Sequence, residues 1–135
     1  MTSRGKLHPT PIPSLLLCRD IYCDERTRET IRIGPRSMYL VTELPATIVM
    51  SASLFVGGGH GHYHIGLSLR DGNDDEVWGF DPPGPVEHVD PLLPHQVTLF
   101  DLEITVREAG RHSMVVSING DEALRSPFVV ILPDG

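Results

Sequence analysis

Glycine and proline interrupt this chain so often that few stretches are long enough for a helix of ordinary length. The 135 residues include 13 glycines and 12 prolines, and a proline inside a helix removes a hydrogen bond and clashes with the preceding turn. Between the interruptions, apolar residues recur at every second position, the spacing of a strand with one buried face. Over residues 62–70, Tyr63, Ile65, Leu67 and Leu69 fall on one face, and His62, His64, Gly66, Ser68 and Arg70 on the other. Ile48, Met50, Ala52, Leu54 and Val56 repeat the pattern. So do Phe100, Leu102, Ile104 and Val106, and then His112, Met114, Val116 and Ile118. Residues 128–132 form a nearly continuous apolar run, which predicts a strand covered on both sides.

Turn chemistry separates these runs. Asn119-Gly120 is a strong two-residue hairpin signal, and Asp71-Gly72-Asn73 closes another strand. Asp24 to Thr30 reads as a loop joining strands near 15–22 and 30–33. Pro82-Pro83-Gly84-Pro85, with Pro91 and Pro94, predicts a long extended loop without regular structure. The result is an all-β chain of roughly eight or nine strands, a β-sandwich or barrel, with the antiparallel β-sandwich as the expected form. Residues 1–13, with Pro9, Pro11 and Pro13, read as a flexible arm, and 14–133 as one domain.

Charge narrows the partners. The net charge of −7 disfavours nucleic acid and anionic membranes, both of which select basic surfaces. Residues 1–36 hold seven Lys or Arg against four Asp or Glu, whereas 37–135 hold four against fourteen, a contrast that can orient self-association. The apolar run Leu15-Leu16-Leu17-Cys18 is too short for a signal-peptide core, so a cytoplasmic protein is expected. Cys18 and Cys23 lack a second pair for a disulfide framework or zinc site and read as reduced thiols.

The order of several short motifs carries a family resemblance. Cys18 lies near the end of the first strand, and Asp24-Glu25-Arg26-Thr27 and Ile31-Arg32-Ile33-Gly34 follow it. Leu44-Pro45-Ala46 precedes a strand that leads into His62-Tyr63-His64 and on to Asp71-Gly72. Ala109-Gly110-Arg111-His112 and Asn119-Gly120-Asp121 complete the series. Over most of residues 15–132 this resembles a bacterial family of small immunoglobulin-like β-sandwich domains without an established activity. The resemblance implies an immunoglobulin-like fold and supplies no catalytic residues. In such sandwiches a Gly-x-Tyr often ties down a strand corner; here Gly110-Arg111-His112 stands in that position, and a His112 ring nitrogen would make the tether.

Among chemical motifs, His60-Gly61-His62-Tyr63-His64 is the sharpest. Alternate strand residues share a face roughly 7 Å apart, so neighbouring imidazoles there can approach one divalent transition metal. Gly57-Gly58-Gly59 just before would let backbone come close to a ligand. The arrangement is similar to the His-x-His of cupin barrels, but the expected downstream glutamate is missing: no Glu follows His64 until Glu76. His88 and His95 remain as distant ligands. Asp71, Asn73 and Asp75 resemble the start of a calcium loop, with Glu76 where that loop requires glycine; a charged hairpin tip explains the run equally. There is no Gly-x-Ser-x-Gly elbow and no phosphate-binding Gly-x-x-x-x-Gly-Lys. Trp78 and Phe80 flank Gly79 ahead of the proline loop, either in the core or as an anchor for a partner.

Two function classes follow. The leading expectation is a non-catalytic protein-interaction or self-associating module, forming a homodimer or binding a protein partner. Its interaction loop would comprise Gly57, Gly58, Gly59, Trp78, Phe80, Pro82 and Pro83. The alternative is a cupin-like metal-dependent small-molecule enzyme or binder using His60, His62 and His64.

Overall fold

The computed structural model describes residues 12–27, 30–35, 37–58, 61–81, 84–89, 92 and 95–133. These residues form strands and turns and no helix, so no helix among them is long and apolar enough to cross a membrane. Among the described residues there are eleven strands: β1 (Ile12–Cys23), β2 (Thr30–Pro35), β3 (Met38–Leu40), β4 (Ala46–Gly57), β5 (Gly61–Tyr63), β6 (Ile65–Arg70), β7 (Glu76–Phe80), β8 (Val86–His88), β9 (His95–Val106), β10 (Gly110–Ile118) and β11 (Asp121–Ile131). They assemble into a four-stranded sheet in the order β2-β1-β4-β9, a five-stranded sheet in the order β3-β11-β10-β6-β7, and a two-stranded sheet of β5 and β8. Pairing is antiparallel except between β3 and β11, which run parallel.

The alternation read from the sequence builds one core between the larger sheets. Leu17, Ile48, Met50, Ala52, Leu54, Val56, Ile104 and Val106 come from the four-stranded sheet. Tyr39, Ile65, Leu67, Leu69, Met114, Val116, Phe128 and Val130 come from the five-stranded sheet. Tyr39 links the layers: its hydroxyl lies 3.8 Å from Met50 Sδ and its ring packs edge-on against Phe128. His112 is buried in the same region. Its Nδ1 lies 3.1 Å from the Gly110 carbonyl, which can only accept, so Nδ1–H donates, and its ring stacks on Phe128 at 5.6 Å. The hairpin at Asn119-Gly120 forms with both residues at positive φ (53° and 86°), the conformation that makes Asn-Gly the preferred pair.

Five expectations change. β9 does not alternate throughout: Leu99 opposes Ala52 and Leu102 opposes Met50, so Phe100 and Asp101 form a bulge opposite Ser51. Asp101 adopts φ 51° and its N–H donates to the Ser51 hydroxyl at 3.1 Å. The bulge turns Phe100 out to solvent (53% exposed) and shifts the core face to Val97 and Leu99 before it. Residues 128–132 are covered on one side only: Phe128 and Val130 are buried, while Val129 and Leu132 are exposed. The proline-rich stretch contains a strand, β8. The run over 62–70 divides at His64, because residues 61–63 pair with β8 and residues 65–70 with β10 and β7. β1 begins at Ile12, within the segment read as an arm; residues 1–11 lie outside the described residues.

Candidate functional site

One end of the fold gathers the histidines. β4 ends at Gly57, and Gly58 takes φ 71°, a conformation glycine adopts without steric cost. β5 then pairs with β8 so that Gly61 faces His88, His62 faces Glu87 and Tyr63 faces Val86. His62 Nε2 lies 3.7 Å from Glu87 Oε2, both side chains well exposed. Tyr63 points inward instead, and burial pushes its phenol above the ordinary range.

His64 is exposed, but its backbone is engaged: its N–H donates to Asn119 Oδ1 at 2.9 Å and its carbonyl accepts from the Asn119 N–H at 2.8 Å. The tip of the β10–β11 hairpin is thereby tied to the β5–β6 junction. Register also sets the backbone of His95 opposite Val56. Strand pairing thus brings His62, His64, His88 and His95 to one end. Among the described residues, no three His, Cys, Asp or Glu side chains come close enough together to hold a metal ion; His60 lies outside those residues. Glu87 was not among the expected partners of His62. The cupin pattern expects a carboxylate a few residues downstream of the histidines, whereas Glu87 arrives on β8.

The acidic turn after β6 is organised by its own groups. Asp71 Oδ1 accepts the N–H of Asn73 at 2.9 Å and of Asp75 at 3.0 Å. Asp74 sits at φ 66° and receives Arg125 Nη1 at 2.7 Å, while Arg125 Nη2 holds Glu122 Oε1 at 2.7 Å. The hydrogen bond from Arg125 holds the Asp74 and Glu122 carboxyls below their ordinary range and raises the guanidinium's own pKa. The Asp71 carboxylate closes the turn and the Asp74 carboxylate binds an arginine, an arrangement that accounts for the run of acids.

The aromatic pair occupies an edge. Trp78 and Phe80 lie on β7 opposite Leu69 and Leu67, so both rings face the core side, where they are half-buried. Their rings stack with centroids 6.4 Å apart and planes 9° from parallel. Among the described residues β7 pairs only with β6, and β9 only with β4. These two outer strands contact each other, and Trp78 and Phe80 on β7, like Val97 and Leu99 on β9, are partly buried against the core. Gly57 and Gly58 of the expected interaction loop lie at the end of β4; Gly59, Pro82 and Pro83 lie outside the described residues. The chain matches no protein-family model and no curated protein.

Proposed function

We propose that this chain is a non-catalytic protein-interaction module. In this reading it is an immunoglobulin-like β-sandwich of the bacterial cytoplasm that docks a protein partner, or a second copy of itself, along the β7/β9 edge. The observation that carries it is the stacked Trp78–Phe80 pair, half-buried on a strand that pairs on one side only among the described residues. A half-covered aromatic pair offers apolar area at low ordering cost, and an outer strand offers backbone groups to an added strand.

Trp78 is the only tryptophan, so its signal reports on this edge directly. Light scattering over a concentration series, combined with 19F NMR of the chain carrying 5-fluorotryptophan at position 78, with and without unlabelled host-cell extract, tests the reading. The expected result is a shifted or broadened Trp78 signal as a copy or a partner covers the edge. A strictly monomeric chain whose Trp78 signal is unchanged by extract would overturn it.

A second reading, a cupin-like metal-dependent small-molecule enzyme or binder at His60, His62 and His64, is favoured by one observation: the Glu87 carboxylate stands 3.7 Å from His62 Nε2.

A further inference from the structure

On the opposite side of the fold from the β7/β9 edge, the start of β1 and the β10–β11 hairpin enclose a groove of about 510 Å³. Its apolar lining comes from Ile12, Pro13, Ile118 and Ala123, with Ile12 70% exposed. Its rim is acidic, from Asp121 and Glu122. Asn119 completes the wall, its amide oxygen already accepting from the His64 N–H.

Charge decides what fits here. Arg125, the cation held by the rim residue Glu122, is committed to both Glu122 and Asp74. Asp121 has no ion-pair or hydrogen-bond partner among the described residues. Asp74 and Glu122 together carry one more charge than the guanidinium they hold, Asp121 adds another, and the rim therefore keeps a net negative charge beside an open apolar surface. An anion or a purely apolar ligand would leave that charge unmatched. An extended peptide meets both demands, because alternate residues point to opposite sides: one to the apolar lining, the next to the rim.

The geometry points to a site for an extended peptide segment of a partner protein, with an arginine or lysine at Asp121 beside an apolar residue on Ile12 and Ile118. This site is separate from the β7/β9 edge and does not depend on it.

Fluorescence anisotropy of the full chain with two labelled probes tests the inference: the hexapeptide Gly-Leu-Arg-Leu-Lys-Gly and its acidic counterpart Gly-Leu-Glu-Leu-Glu-Gly. The basic probe is expected to bind and the acidic probe not. Asp121→Asn should weaken the basic probe about tenfold, as expected for a lost charge-assisted hydrogen bond. Ala123→Arg, which places a cation in the groove at an exposed position, should abolish binding while leaving the melting temperature near that of the wild type. Equal binding of both probes, or binding indifferent to both substitutions, would overturn the inference. It would also fall if the basic probe failed to bind and Asp121→Asn changed the chain's mass in light scattering, since the groove would then be a contact between copies.

Discussion

Arg125 Nη1 reaches Asp74 Oδ1 at 2.7 Å, joining β11 to the β6–β7 turn although β10 separates the two strands in the sheet. The same guanidinium binds Glu122, so one cation ties two carboxylates whose protonation would release it.

The pH dependence follows from the sign of those shifts. Asp74 and Glu122 have folded-state pKa values below their unfolded ones, so their contribution is present above the ordinary carboxylate range and is lost as pH falls through the lowered values. Thermal melts from pH 7 down to pH 2 should show the wild type losing stability in that acid window. Arg125→Gln should flatten the acid-side loss and leave a smaller difference between the two proteins at pH 2 than at pH 7. Because all three groups are exposed, the effect should also shrink in high salt.

The bulge in β9 predicts a second result. Removing the Ser51 hydroxyl orphans the Asp101 N–H, and Ser51→Ala should cost about 1 kcal/mol in denaturant unfolding. Asp101→Gly should be neutral or stabilising relative to Asp101→Val, since φ 51° suits glycine and strains a β-branched residue.

Gly66 is confined by its neighbours. A Cβ at that position would stand 2.8 Å from Ser117 Oγ and 3.0 Å from Asp81 Oδ1. Gly66→Ala should therefore lower the unfolding midpoint, by about 1–3 kcal/mol as for an overpacked site. Pairing it with Ser117→Ala should recover part of that loss, a coupling measurable in a double-mutant cycle.

Much of this architecture was readable because it is local. Period-two burial gave the core faces of β4, β6 and β10, and Asn119-Gly120 gave the last hairpin. What escaped depends on partners distant in sequence. Nothing near Phe100 announces that Asp101 will bond to a serine 50 positions away. The three-residue β8 is a strand only because β5 lies beside it, and Met38–Leu40 runs parallel to β11 through a pairing no short-range signal encodes. The site divides in the same way. The exposed face of His62 and His64 followed from alternation, but Glu87 came from an opposing strand inside a stretch that its prolines marked as loop.

Metal content separates the two functional readings. Protein purified without a histidine tag should carry far less than one equivalent of transition metal, and His62→Ala/His64→Ala should not change that content. Near-stoichiometric metal lost in the double variant would favour the metal-dependent reading.

Photo-crosslinking in living host cells tests the interaction account most directly. A photoreactive residue replacing Val77, exposed on β7, should give one discrete adduct, to a second copy or to a single partner, whereas the same residue at exposed Glu108, in the β9–β10 turn, should give none. No adduct from position 77, or the same adducts from both positions, would contradict it.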